Sequence, residues 1–268
     1  MNILVCIKQV PDTTNIRIDP ETHTLIREGV ESIINPFDMY AIEEALRIKE
    51  KLGGKVTVLS MGPPQVEVAL RTAISLGADE AILLTDRAFA GADTWATSLT
   101  LAGAIRQMDD VGIILMGKQA MDGDTGQVGP GVAEHLDLPH ITDIRKIEEL
   151  SEEEIVCERL LEEGYLRVKA KLPVIITVVK EINEPRLPSL RGKMAAKKAE
   201  IINWNAEKLG IQVEEIGLNG SPTQVIKIFT PPKPGGGKIF EGEPEDTVKQ
   251  LLAELREGGI QFNAAKGE

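Results

Sequence analysis

The feature that most constrains this chain is an alternation, through its first half, of short apolar runs with amphipathic stretches of helical period. That alternation is the pattern of an α/β domain with a parallel sheet, because parallel neighbours need a crossover long enough to be a helix. Residues 3–7 read as a first apolar strand. Asn35-Pro36-Phe37-Asp38 then opens a helix whose Ile42, Ala45, Leu46 and Leu52 keep helical spacing until Gly53-Gly54 closes it. Residues 56–61 make the next strand. Pro63 suits a first helical turn, Val66, Ala69, Leu70, Ala73 and Ile74 line one face, and Gly77 ends that helix. A third strand covers 81–84, and Asp93 is placed to cap a helix carrying Leu99, Ala102 and Ile105. A fourth, 113–116, leads through a glycine-rich turn into a helix with Val128, Val132 and Leu136 in line.

After about Pro139 the pattern changes. Residues 154–160 and 165–171 flank Glu162-Glu163-Gly164 and read as an added β-hairpin, with 174–179 a third strand of that region. The stretch 183–198 is rich in Pro, Arg and Lys with little regular pattern. From Ile201 onward there are two short strands at most, the run PPKPGGGK at 231–238, and one helix around 245–257. So little core over such a length suggests a segment that packs on something else. Val225, Ile226, Ile228 and Phe229 are too apolar for a disordered tail. The expected organisation is an α/β domain over 1–200 followed by an extended C-terminal arm over 201–268, wrapped on a partner.

Charge and cysteine usage narrow the function. A net charge of −12 repels phosphate backbones and argues against nucleic acid as a partner. Cys6 and Cys157 stand far apart in apolar stretches, and His23, His135 and His140 make no ligand pattern, so metal chemistry is not expected. The absence of a run of 18 apolar residues argues against membrane insertion, and the first residues lack the features of a signal peptide. The expected location is the cytoplasm.

In an open parallel sheet, ligands bind beyond the carboxyl ends of the strands. Four such ends carry unusual residues: 6–12 (CIKQVPD), 60–64 (SMGPP), 89–98 (FAGADTWATS) and 117–130 (GKQAMDGDTGQVGP). The last two place small residues and hydroxyls where a helix begins. Free N–H groups and the helix dipole there can cradle a phosphate, with Thr94, Thr97, Ser98 and Thr125 as donors. Neither loop is a Walker A sequence or a GxGxxG fingerprint, and each taken alone is more often an ordinary capped turn, whereas two on neighbouring strand ends favour a nucleotide. Lys8 can be a ligand contact or a solvated lysine, and capping is the default role of Asp122 and Asp124. No nucleophile and no Ser-His-Asp or Cys-His order presents itself, so no catalytic residue is assigned. A nucleotide pocket without reactive side chains fits a carrier whose cofactor performs the chemistry.

These strand-end motifs, with Asn35-Pro36-Phe37-Asp38 and the segment Pro188-Ser189-Leu190-Arg191-Gly192-Lys193-Met194-Ala195-Ala196-Lys197-Lys198, resemble electron transfer flavoprotein beta subunits from Asn2 to about Glu257. The resemblance implies a Rossmann-like fold and a heterodimer with an alpha subunit that carries an FAD, while the beta subunit binds an adenine nucleotide and embraces its partner with the arm. Family nucleotide contacts, carried over, fall on Cys6, Asn35, Asp38, Met61, Asp122, Thr125, Gln127 and Val128. The family's recognition loop for acyl-CoA dehydrogenases falls at about 183–198, with Leu187 as its anchor.

Two departures bear on the nucleotide. AMP-binding members usually carry a bulkier residue where Gly123 stands, and tend to lack the run from Gly91 to Ser98, so Gly123 with Asp93, Thr94 and Thr97 of that run join the expected cofactor-binding residues. Both features are similar to members holding a second FAD, including those that bifurcate electrons from NADH, whereas the segment after Pro188 is similar to that of plain shuttles. A second FAD is expected, AMP if the protein is a plain shuttle, and NADH is involved only in a bifurcating complex. The resemblance implies electron transport, as in fatty acid oxidation, from acyl-CoA dehydrogenase-type flavoenzymes to a quinone reductase, or to ferredoxin if bifurcating. A universal-stress-type nucleotide-binding domain shares the topology but predicts a homodimer without flavin. An ATP pyrophosphatase relative would need an SGG-type loop that is missing after the first strand.

Overall fold

The computed structural model describes residues 1–12, 17–18, 25–26, 32–226 and 235–260. Its first compact unit is Met1–Gln224. β1 (Asn2–Cys6) is buried on both faces, which is why it reads as an unbroken apolar run rather than an alternating one. Two short antiparallel pairs follow: β2 (Gln9–Pro11) with β5 (Ser32–Ile34), and β3 (Arg17–Ile18) with β4 (Leu25–Ile26). The βα units then run as the sequence pattern predicts. They are α1 (Pro36–Leu52), β6 (Lys55–Met61), α2 (Glu67–Leu76), β7 (Glu80–Leu84), α3 (Thr94–Ile105), β8 (Val111–Gly117) and α4 (Val128–Leu136).

Beyond α4 the chain forms β9 (His140–Leu150), β10 (Glu154–Leu160), β11 (Tyr165–Lys171) and β12 (Val174–Val178). The helix α5 (Leu190–Lys198) precedes β13 (Ile201–Trp204) and the short α6 (Ala206–Leu209). Among the described residues the main sheet has nine strands, in the order β11-β10-β9-β12-β8-β1-β6-β7-β13. Every neighbouring pair from β9 to β13 is parallel, and the β10–β11 hairpin extends the β9 edge in antiparallel fashion.

The pleat divides the core in two. Ile3, Val5, Val56, Val58, Ile113 and Leu115 face α1 and α2, while Leu4, Leu59, Ile82, Ile114 and Met116 face α3 and α4. Helices thus cover both faces of a mostly parallel sheet, the Rossmann-like architecture that the sequence implies, with its added hairpin.

Four elements differ from the sequence reading. β9 was not anticipated, because its charged residues 145, 146, 148 and 149 break the apolar signal. β12 is no satellite of the hairpin but pairs between β8 and β9, and all five of its residues are buried. The stretch read as irregular contains α5, whose burial is limited to Ala196, so no apolar stripe announces it. Ser189 caps it by accepting from Gly192 N, and a Cβ on Gly192 would run into the Ser75 carbonyl, so this glycine lets α5 close on α2. Ile201–Trp204, expected at the root of the arm, pairs with β7.

The second unit is Val225–Glu268. It contains α7 (Pro244–Glu257), close to the expected helix and without a buried residue, with Val248 and Leu251 exposed. Val225 and Ile226 are exposed as well. Ile228, Phe229, His23 and residues 231–234 of the PPKPGGGK run lie outside the described residues.

Candidate functional site

The chain leaves β1 toward β6 and β7 on one side and returns to β8 on the other. The carboxyl ends of β1 and β8 therefore border the topological switch point, where an open α/β sheet leaves a crevice for a ligand.

Asn35 and Asp38, at the start of α1, tie the two sides together. Lys8 N donates to Asp38 Oδ2 at 2.7 Å, and Gly117 N donates to Asp38 Oδ1 at 3.1 Å. Asn35 Nδ2 donates to the same Oδ1 at 3.0 Å and to the Gln119 carbonyl at 2.8 Å, while Met121 N donates to Asn35 Oδ1 at 3.1 Å. Asn35 N donates to the Lys8 carbonyl. Both side chains are buried. Gly117 is a close-approach glycine, since a Cβ there would meet the Asp38 carboxylate and the Phe37 backbone. Burial pushes the Asp38 carboxyl up to about 7, while the donors from Lys8, Asn35 and Gly117 work in the opposite direction.

Cys6 ends β1 and is buried beside this network. Burial, and secondarily the Asp38 carboxylate, pushes its thiol far up, which disfavours the nucleophilic thiolate. Met61 ends β6 and is partly buried. Lys8 Nζ reaches Asp122 at 2.7 Å, an exposed pair that joins the segment after β1 to the loop after β8.

The starts of α3 and α4 lie side by side. Thr94 Oγ1 donates to Gln127 Oε1 at 2.9 Å, joining them directly. Gly131 permits close packing on Ser98, and Gly129 on Thr177. Ser98, expected as a phosphate donor, gives its hydroxyl to the Thr94 carbonyl at 2.6 Å and is buried. Asp93 caps α3, with Oδ1 accepting from Trp95 N and Ala96 N, and its Oδ2 accepts from Thr223 N and Thr223 Oγ1. Burial acts to raise its carboxyl, but these donors outweigh it and hold Asp93 below the usual carboxylate range.

α4 differs: Gln127 makes no capping bond, so the N–H groups of Val128 and Gly129 are not taken by a side-chain cap. Thr97 is half-buried in the first turn of α3, and Thr125 is exposed in the turn before α4. A Cβ added at Gly123 would meet no atom within 4 Å beyond its chain neighbours, and its φ is not positive, so neither packing nor backbone conformation requires a glycine there.

Leu187 stands away from this crevice, 89% exposed, and Leu190 and Met194 of α5 join it at 78% and 59%. Arg186, the residue before Leu187, grips α1: its Nε donates to Glu43 Oε2 at 2.7 Å and its Nη1 to Glu50 Oε1 at 2.6 Å. Sequence reasoning missed Leu190, Met194 and this clamp. The spacing of four between Leu190 and Met194 was the available signal; the ion pairs join residues 143 and 136 apart and had none. Among the described residues, no group of three or more His, Cys, Asp or Glu side chains could hold a metal ion, and no helix is long and apolar enough to cross a membrane.

A switch-point crevice flanked by two small-residue helix starts defines the binding end of a nucleotide-type α/β domain. Comparison with known proteins sharpens that class. Residues 22–209 match the family described as the electron transfer flavoprotein domain. The chain is 54% identical over 256 residues to the electron transfer flavoprotein subunit beta of Thermoanaerobacterium thermosaccharolyticum, covering 95% of this chain and 98% of that one. It is 48% identical over 262 residues to the caffeyl-CoA reductase-Etf complex subunit CarD of Acetobacterium woodii, covering 97% and 100%. Protein FixA of Azotobacter vinelandii is 46% identical over 265 residues, covering 95% and 94%. The chain belongs to the electron transfer flavoprotein family as a beta subunit, and its function is electron transfer.

Proposed function

We propose that the chain pairs with an alpha subunit and holds a second FAD, rather than AMP, at the switch point between β1 and β8. The observation that carries this reading is Gly123: neither backbone conformation nor packing demands a glycine, which leaves room for a ligand as the reason. The uncapped start of α4 and the hydroxyls of Thr97 and Thr125 would hold the phosphates, while Thr94, whose hydroxyl is given to Gln127, would keep the two helix starts together. Asp122, Gln127 and Val128 would border the ligand, Cys6 and Met61 would wall it, and Asn35 and Asp38 would keep the crevice in shape. When bound, the flavin supplies the electron-carrying ring, and the chain's residues bind it, orient it and shield it from water.

In this reading Leu187 docks acyl-CoA dehydrogenase-type flavoenzymes, and Leu190 and Met194 widen the same apolar face. Electrons pass onward to a quinone reductase. The arm packs on the alpha subunit, in keeping with the exposed Val248 and Leu251 of α7.

The similarity to a subunit of a caffeyl-CoA reductase-Etf complex favours a second reading, in which the complex oxidises NADH and divides its electrons between ferredoxin and an acyl-CoA-type acceptor. NADH-dependent flavin reduction separates the two, because a plain shuttle shows almost none.

The test is to co-express the chain with its alpha partner, purify the complex and quantify the released nucleotides. Two FAD per heterodimer are expected. One FAD and one AMP would replace the second-flavin reading with a plain shuttle, and a flavin-free homodimer would overturn the assembly itself.

A further inference from the structure

The segment 216–223, the last stretch before the second unit begins, is laid directly onto the loop that leads into α3. Leu218 N donates to the Ala90 carbonyl at 2.9 Å, and Ser221 Oγ accepts from Asp93 N at 2.8 Å while donating to the Gly217 carbonyl. Gly217, with a φ of 57°, approaches so closely that a Cβ would strike the Ala88 carbonyl. Gly91, on the other side, packs against Leu218. Ile216 is completely buried. The segment ends on Asp93, whose Oδ2 takes Thr223 N at 2.9 Å and Thr223 Oγ1 at 2.8 Å.

A carboxylate offers about four acceptor sites. Those of Asp93 receive Trp95 N and Ala96 N on one oxygen and the two Thr223 donors on the other, so none is left for a ligand, and Asp93 is not the direct cofactor contact that the sequence suggests. Asp93 nevertheless sits immediately before Thr94, which bonds Gln127 across to α4. One side chain thus sets the hydroxyl-bearing first turn of α3 and also fixes where the chain departs toward its C-terminal unit.

We infer that Asp93 is a positioning residue that couples nucleotide binding at the α3–α4 loops to the ordering of the strap 216–223, and so to the point from which the C-terminal unit leaves. The inference rests on the nucleotide reading above. Coupling of this kind is reciprocal: a ligand that tightens the α3 loop tightens the strap, and a loosened strap weakens the ligand by the same factor.

Asp93→Asn separates the cap from the latch. Asparagine caps a helix as well as aspartate does, but its amide N–H2 cannot accept from Thr223 N and faces it donor to donor, leaving at most a reversed bond to the Thr223 hydroxyl. Thr223→Val removes one latch bond from the other side and leaves Asp93 intact. The full-length chain is titrated with ADP by calorimetry, and amide hydrogen exchange at 217–223 is followed with and without ADP.

In the unmodified chain, ADP slows exchange of the strap. In Asp93→Asn that protection collapses and ADP affinity falls roughly ten-fold, with a smaller loss of both in Thr223→Val. A purely structural role would speed exchange equally in both states and leave the ADP-dependent ratio intact. ADP binding without strap protection, or unchanged protection in both variants, overturns the coupling and leaves the nucleotide reading standing. Failure of the unmodified chain to bind ADP overturns the coupling, whereas the nucleotide reading stands or falls on the nucleotides released from the heterodimer.

Discussion

At the switch point, one buried carboxylate receives three N–H donors, two of them from backbone at the ends of different strands. Before α5, one partly exposed guanidinium grips two carboxylates of the same helix. The first arrangement uses donors that the chain cannot move without breaking its sheet, and it yields a rigid crevice. The second uses long side chains at the edge of the surface, with Glu43 buried and Glu50 exposed, and near it in the chain stand apolar residues with no cover in their own unit, Leu187 and Leu190. The difference teaches where precision is needed. A bound cofactor needs fixed walls, whereas a face for transient encounters needs only to be held in the right place.

The largest expected effect lies in the crevice. Asp38→Ala leaves Lys8 N and Gly117 N without their acceptor in a buried site, at about 2–4 kcal/mol of stability measured by chemical denaturation. The bound nucleotide should be lost with it. A cost below about 1 kcal/mol would show that the two strand ends hold without this clamp.

The pH responses of the two regions should run in opposite directions. Asp38, raised to about 7, binds more protons folded than unfolded between the ordinary aspartate value and 7, so its contribution falls as pH rises through that window. Its full slope is about 1.4 kcal/mol per pH unit, and Asp38→Asn should abolish it. Glu43 is the reverse case. Burial acts to raise it, but the bonds from Arg186 and Arg47 prevail and hold it low. Its contribution is present above the ordinary glutamate value and is lost as pH falls through the folded one. Unfolding free energies of the unmodified chain, Asp38→Asn and Glu43→Gln across this range check both signs. A flat profile for Asp38 would mean that its three donors, not burial, set its titration.

Arg186→Ala comes next, at about 1–2 kcal/mol, because Glu43 is buried and keeps only Arg47. Hydrogen exchange over 183–190 should quicken while exchange around Asn35 stays unchanged. Quickening in both would erase the distinction between the regions.

How much of this was legible beforehand follows the same division. The βα repeat, the strand ends and the helix starts were readable because apolar period and capping chemistry are local. The role of Asp93 was half legible: its cap lies within three residues, but its bond to Thr223 spans 130. Asn35 and Asp38 entered through a family resemblance, and nothing local shows that Asp38 would accept from Gly117, 79 residues away. α5 escaped because its only buried residue is Ala196, so the helix is defined by α2 beneath it and not by its own pattern.

The smallest effect on stability, and the most informative for function, belongs to the exposed leucines. Leu187→Ala and Leu190→Ala should each change unfolding free energy by less than about 0.5 kcal/mol, since neither side chain has much folded surface to lose. If this face docks a flavoenzyme, burying one leucine there contributes about 1.5–3 kcal/mol, which is roughly ten-fold or more in the KM for that partner. Met194→Ala, on the less exposed flank, should do less. Arg186→Ala should raise the same KM through misplacement of the face alone, and its effect should not add to that of Leu187→Ala if both act on one docked geometry. Full additivity would make the clamp and the apolar face independent devices, and an unchanged KM in both leucine variants would move partner docking elsewhere on the chain.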